Sequence, residues 1–263
     1  MGHVRLAGTA TVNATATSGS ITVGTAVPAG RTLVGGVVWD SAAGAVPTIT
    51  SISDSRGNVY TVANSVNAGT TLAQILFYAT VTTPLQAGDT VTVVVSAGRG
   101  RWAMQLDEFD DVAASPFDQG ATNAPGSSAS LSSGVTAATT EASELVYCVF
   151  GFGQGRTVTI PSGWSGSAKV ETTAGSSNRA LQAIYRYVSA SGPQEGTLTL
   201  STASTYAGSI ATFKLASGPP PVDGGVNVRS GGAWVTAVPY VRSGGSWVQA
   251  TAYVLSGGSW QEI

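Results

Sequence analysis

Acid–base or nucleophilic catalysis needs side chains of matched type, and this 263-residue chain supplies few of them. It contains one histidine, His3, and one cysteine, Cys148. Any Ser-His-Asp or Cys-His arrangement would have to recruit His3 from the first residues, where chain ends are usually loose. One His and one Cys cannot assemble a zinc site of usual composition. Cys148 sits in the apolar run ELVYCVFGF and reads as a buried core thiol, and a lone cysteine excludes an intramolecular disulfide. The stretch GFGQGR (151–156) is rich in glycine but lacks the Lys-Ser/Thr and following helix of a phosphate-binding loop. It reads as a turn.

The densest charge is LDEFDD, which carries Asp107, Glu108, Asp110 and Asp111, with Asp118 close behind. Two readings compete. A hard cation such as calcium takes six to eight oxygen ligands, and loop carboxylates could provide several. Alternation along a strand sends Asp107 and Glu108 to opposite faces, however, and the spacing is not that of an EF-hand. That favours a solvated strand end with no bound metal. A glycosidase needs two carboxylates about 5–9.5 Å apart in a cleft; carboxylates are present, but nothing in the sequence builds the cleft. The inventory predicts a protein that is not an enzyme and has no cofactor.

Aromatic chemistry is concentrated at the C-terminus. Gly-Gly-small-Trp occurs three times at a 13-residue period, placing Trp234, Trp247 and Trp260. Gly-Gly suits the two positive φ angles of a two-residue type I′ hairpin turn. In the second copy Arg242 then faces Trp247 and Val241 faces Val248; in the first, Arg229 faces Trp234; in the third, Leu255 faces Trp260. Arginine over tryptophan is a cation–π contact worth about 0.5–1 kcal/mol when exposed. A lone hairpin is marginal in water, so the repeats must stack on one another, on the body or on other subunits. A symmetric oligomer, a trimer being one solution, would cover them. The tryptophans either pack the hairpins together or, with Tyr240 and Tyr253, present a surface that stacks on sugar rings.

The elements that hold these residues are read from composition and period. Charged residues make up 10% of the chain, against about 25% in ordinary soluble domains, and the residues that favour long helices are scarce. Short alternating runs recur instead: ATVNATATSGSITVG, TLVGGVVWD, LAQILFYATV, DTVTVVVS. The fold class is therefore all-β, a jelly-roll-like β-sandwich over residues 1–216 followed by β-hairpin repeats. Residues 113–133 read as a polar loop. After it the pattern restarts, ASELVYCVFGF resembling GRTLVGGVVWD, with Leu33 matching Leu145, Tyr78 matching Tyr187 and Phe109 matching Phe213. This suggests an internal duplication, two related sets of strands facing each other, although similar strands would also arise without one. Residues 217–225, SGPPPVDGG, form a stiff Pro/Gly linker, and residues 226–263 hold three 13-residue hairpin repeats. Trp39, Trp102 and Trp164 are assigned to sandwich packing or to loop anchors.

A net charge of −2 offers no basic surface for nucleic acid. No run of about 20 apolar residues is present to span a membrane, and the first residues do not read as an export signal. A secreted-looking surface made without export fits a virion protein assembled in a host cytoplasm.

Two features add a resemblance. The stretches SISDSRGNVYTVA, ILFYATV, EFDDVAASPFDQGATNAPGSSAS, ASELVYCVFGF and AGSIATFKLA, in that order, resemble a β-sandwich module of bacteriophage tail and other virion proteins and of bacterial surface proteins. The Asp-Ser-x-Gly-Asn-x-Tyr turn and Ser-Pro-Phe-Asp carry most of that similarity. The YVRSGGSWV repeats resemble those that close minor tail proteins of phages infecting actinobacteria. The resemblance implies a non-enzymatic virion structural protein, a minor tail protein of tail tip or fibre, with an assembly or host-adhesion role. Its implied partners are other virion proteins, copies of itself and the host cell-wall glycan. A capsid decoration or head-fibre protein is one alternative; a carbohydrate-binding module recognising cell-wall glycan is another. The resemblance brings no catalytic residues.

Overall fold

The computed structural model describes residues 2–40, 48–173 and 178–216, and strand backbone over 226–230, 233–237, 240–243, 246–249, 253–256 and 259–262. The linker assigned to 217–225 and the Gly-Gly turns of the repeats lie outside the described residues. The chain divides into two units, Met1–Leu215 and Ala216–Ile263.

The first unit is all-β and antiparallel. Its first half contains β1 (His3–Val12), β2 (Ala16–Thr22), β3 (Thr32–Asp40), β4 (Ile49–Asp54), β5 (Thr61–Ala68), β6 (Leu72–Thr80), β7 (Thr90–Arg99) and β8 (Trp102–Phe109). One sheet runs β1-β8-β3-β6-β5 and a second β2-β7-β4. Eight strands split in this way make a jelly roll. The pattern of each strand follows its place. β3 is covered on both faces and is apolar from Leu33 to Trp39, LVGGVVW, whereas β7 faces solvent on one side and alternates, TVTVVV. Leu33, Val37, Trp39, Ile75, Phe77 and Trp102 meet Ile21, Val91, Val93 and Val95 between the two sheets.

The second half contains β9 (Val112–Val135), β10 (Ser143–Gly153), β11 (Val158–Thr159), β12 (Ser165–Gly166), β13 (Val170–Glu171), β14 (Arg179–Ser189) and β15 (Glu195–Leu215). Here the order is β9-β15-β10-β14, with β11 on β15 and both β12 and β13 on β14. This repeats β1-β8-β3-β6, with β4 on β7 and β5 on β6. The early residues of β9 pair with the end of β15, and its late residues pair with the beginning, so these two long strands do the work of β1–β2 and β7–β8. The fold is internally duplicated.

The two inner sheets pack against each other. Val34, Val38, Leu72 and Leu76 of the first half meet Leu145, Tyr147, Val149 and Leu181 of the second. Each inner sheet is backed by an outer layer, so the sandwich has more layers than two facing sheets. The third cluster lies on the far side of β10, where Cys148, Phe150 and Phe152 are covered by Leu131, Leu198 and Leu200. Cys148 is fully buried, as its apolar run predicts, and burial pushes its thiol pKa up.

Four expectations change. Residues 113–133 are not a loop but most of β9; small polar side chains fill much of this strand, which among the described residues is paired on one side, to β15. Tyr78 and Tyr187 do correspond, but their partners in the neighbouring strands are Val34 and Leu145. Leu33 instead faces the outer layer, so matching it to Leu145 is a one-residue slip that exchanges faces. His3 is not in a loose terminus: it is paired in β1 opposite Phe109. The acidic run is not a solvated strand end, for Asp107 and Glu108 are 0% and 1% exposed.

In the second unit, β16 (Val226–Ser230) pairs β17 (Ala233–Ala237), β18 (Tyr240–Ser243) pairs β19 (Ser246–Gln249), and β20 (Tyr253–Ser256) pairs β21 (Ser259–Glu262). All three pairs are antiparallel.

Candidate functional site

Among the terminal residues singled out from sequence, backbone register places Arg229 opposite Trp234, Arg242 opposite Trp247, and Leu255 opposite Trp260. Tyr240 stands opposite Gln249 and Tyr253 opposite Glu262. Each repeat brings its own pair together within one two-stranded sheet.

The acidic run builds a different kind of site, inside the body. The Asp107 side chain reaches the interface between the inner sheets. Tyr147 OH donates to its Oδ2 at 2.6 Å, and Gln105 Nε2 donates to the same oxygen at 2.9 Å. Ser167 Oγ donates to Oδ1 at 2.6 Å, and His3 Nε2 lies 2.8 Å from that oxygen. His3 is also stacked on Tyr185, ring centroids 4.6 Å apart. A serine, a histidine and an aspartate are thus gathered in one place. In a nucleophilic relay the serine donates to histidine and the histidine to aspartate; here serine and histidine meet the same carboxylate oxygen. The serine is therefore not activated by the imidazole, and the cluster ties β1, β8, β10 and the segment after β12 together. Burial and the Asp107 charge hold the Tyr147 phenol well above its ordinary pKa, so it stays a donor.

Glu108, on the opposite face of the same strand, is paired with Arg5 and lies 3.6 Å from Arg31 Nε. Burial pushes its pKa up, against the pull of the two arginines. Arg31 also holds Asp110 at 2.9 Å, and the Gly2 amide nitrogen donates to Asp110 at 2.6 Å. Among the described residues no group of three or more His, Cys, Asp or Glu side chains could hold a metal ion. Asp107 and Asp110 are engaged by hydrogen-bond donors, and Glu108 by the charges of Arg5 and Arg31.

The two motifs behind the sequence resemblance turn out to be fastenings. Asp54 accepts from the backbone of Arg56 (2.8 Å) and Asn58 (3.1 Å), from Asn58 Nδ2 (2.8 Å) and from Tyr60 OH (2.9 Å). Asn58 Oδ1 in turn accepts from the backbone of Thr82 and Thr83. Burial pulls the Asp54 pKa up, but these hydrogen bonds outweigh it and hold the carboxyl below its usual range. In Ser-Pro-Phe-Asp, Phe117 stacks on Tyr78 at 6.1 Å and meets Phe213 edge-on. Asp118 accepts from Thr140 N and Oγ1, at 2.7 and 2.6 Å.

No protein-family model, curated protein or solved structure matches this chain.

Trp39 and Trp102 are fully buried with ring centroids 5.6 Å apart, as packing residues should be. Trp164 is half-buried against the third cluster and lies under Arg186, whose guanidinium carbon sits 4.4 Å from the ring centroid. Sequence reasoning missed the Asp107 cluster, whose partners lie 40, 60 and 104 residues away. It also missed a polar cup built on the turn after β10. The signal available for that cup was GFGQGR, a glycine-rich turn that ends in arginine. Among the described residues no helix is long and apolar enough to cross a membrane.

Proposed function

We propose that this chain is a non-enzymatic structural protein of a bacteriophage virion, a minor tail protein of the tail tip or a fibre. The duplicated jelly roll serves as its body, and the terminal Trp units serve assembly or host-surface adhesion. The observation that carries this reading is the threefold Gly-Gly-x-Trp repeat, which sets Arg, Arg and Leu opposite the three tryptophans in turn. The gathering of histidine, serine and tyrosine around Asp107 as hydrogen-bond partners supports a non-catalytic body. Its partners are other virion proteins, further copies of this chain through the repeats, and host cell-wall glycan stacked on Trp and Tyr rings.

The test is binding of labelled full-length protein to intact actinobacterial cells, beside Trp247→Ala and a truncation ending at Ser217. Adhesion by the repeats requires binding by the full chain and a loss of about tenfold or more in both variants. If the full chain does not bind cells, the assembly role requires Trp247→Ala to lower the oligomeric state in light scattering. Trp247→Ala with unchanged binding and unchanged assembly would overturn the proposal.

A further inference from the structure

The turn after β10 and the start of β14 enclose a cup of about 300 Å³, at the lower end of the range for small-ligand pockets. Its lining mixes polar and apolar surface: Arg156, Arg179, Gln154, Asn178, Ser204 and Thr205 bring the polar groups, and Leu72 is the one large apolar side chain. Two guanidiniums thus share one small cavity in a chain whose net charge is −2.

Both arginines are fixed by the protein before any ligand arrives. Arg156 Nε and Nη2 donate to the Ala203 carbonyl at 3.3 and 3.1 Å, and Nη1 donates to the Gln154 carbonyl at 2.7 Å. Three of its five N–H groups are used, leaving one on Nη1 and one on Nη2, the nitrogens that form a two-pronged donor for carboxylate or phosphate. Its rotamer entropy is already lost, so little more is lost on binding. Arg179 is 94% buried behind it. Arg179 Nη2 donates to Asp40 Oδ1 at 2.7 Å and to the Thr71 carbonyl at 2.6 Å, and Nη1 donates to the Asn178 carbonyl at 3.1 Å. Among the described residues, Arg179 Nε and Asn178 Oδ1 have no hydrogen-bond partner.

The surrounding charges do not cancel the pair. Asp40 faces Arg179, while Glu171 is held by Lys169 at 2.7 Å and by the Gly155 amide at 3.1 Å. Lys169 Nζ also donates to the Arg156 carbonyl at 2.8 Å. Arg156, Arg179 and Lys169 against Asp40 and Glu171 leave one positive charge over, and Arg101 lies close enough to act on Arg179 as a further one. Gly153 makes room for the arrangement: a Cβ there would stand 2.9 Å from Arg156 Nη1 and 3.2 Å from Ser204 Oγ.

We infer that this cup binds an acidic sugar, with Arg156 taking the carboxylate and the amide and hydroxyl side chains of Gln154, Asn178, Ser204 and Thr205 meeting the ring hydroxyls. The charge calls for an oxyanion, the lining for a hydroxylated body, and the volume for one sugar-sized group. The inference does not depend on the virion reading.

The experiment is titration of the full-length chain at low ionic strength with D-glucuronate, D-glucose and inorganic phosphate, read by amide NMR shifts at Gly153, Gln154 and Thr205. Saturable shifts are expected with glucuronate, with affinity at least tenfold above that for glucose. Arg156→Gln should abolish them, and Gly153→Ala, which keeps both charges but displaces the guanidinium, should weaken them at least threefold. Arg56→Gln, an exposed arginine elsewhere, should leave them unchanged. Phosphate bound as tightly as glucuronate would overturn the sugar assignment. No saturable shift with glucuronate, or shifts undiminished in a folded Arg156→Gln protein, would overturn the site.

Discussion

Glu144 shows most directly how the fold sets the charge of one side chain. It is fully buried at the start of β10, where it meets the Asp118 carboxylate and Thr212, and burial first, then Asp118, raises its pKa from 4.5 to about 7. Asp118 is held below its usual range because the Thr140 hydrogen bonds outweigh its own burial, with Lys214 3.5 Å away. A raised carboxyl pKa means that the folded state holds its proton more tightly than the unfolded one. That stabilisation is complete below about pH 4.5, declines by at most about 1.4 kcal/mol per pH unit through the window, and is gone above about pH 7. Glu144→Gln carries no proton to lose. Its melting temperature should therefore rise relative to the parent as pH goes from 5 to 7.5; parallel curves would refute the assignment. This chemistry was only partly legible in sequence. The inventory of His3 and the acidic run named residues that meet in and beside the Asp107 cluster, but not how they are held. It could not foresee that Asp107 and Glu108 are buried, because the partners that make burial tolerable are distant in the chain, Tyr147 and Ser167 for one, Arg5 and Arg31 for the other.

At the level of elements, the inner sheets approach closely where β3 passes β10. A Cβ on Gly36 would stand 2.6 Å from a Val149 methyl, and one on Gly151 would stand 2.5 Å from a Val38 methyl. Glycine on one strand receives a valine from the other, twice, in opposite directions. Gln74 bridges the same zone, donating to the Val149 carbonyl at 3.0 Å and to Ser209 Oγ at 2.7 Å. Gly36→Val should push the sheets apart and cost about 3 kcal/mol, the upper end of ordinary overpacking, because the atoms it meets all belong to the Val149 side chain rooted on the facing strand. Urea unfolding measures it, and a loss under 1 kcal/mol would show that the sheets can part freely. Strands with a covered face were readable from their apolar runs, TLVGGVVWD and ELVYCVFGF above all. β9 was not, since Gly, Ser, Thr and Asn fill its exposed positions and mimic a loop. The repeated topology could be sensed from similar runs, yet its register could not, since an apolar stretch buried on both faces does not reveal which residue faces which layer.

For the whole molecule, the shared middle cluster makes one prediction. Residues from β3, β6 and β8 and from β10, β14 and β15 form a single apolar body, so neither jelly roll can open without exposing the other. A chain ending at Ala216 should unfold in urea in one transition, with near- and far-UV circular dichroism superimposable; two separated steps would show that the halves are independent. The halves are joined by the shortest of connections, Asp110 and Asp111 between β8 and β9, with Asp111 at a φ of 57°, a conformation that Asp tolerates better than most residues. Two jelly rolls meeting through flat apolar sheets would, as separate chains, exist as partners only above some concentration. Tethered through two residues, each finds the other at a local concentration on the order of millimolar or more. The pairing is thus indifferent to dilution: a single copy, alone in any volume, still has the interface between its two jelly rolls closed.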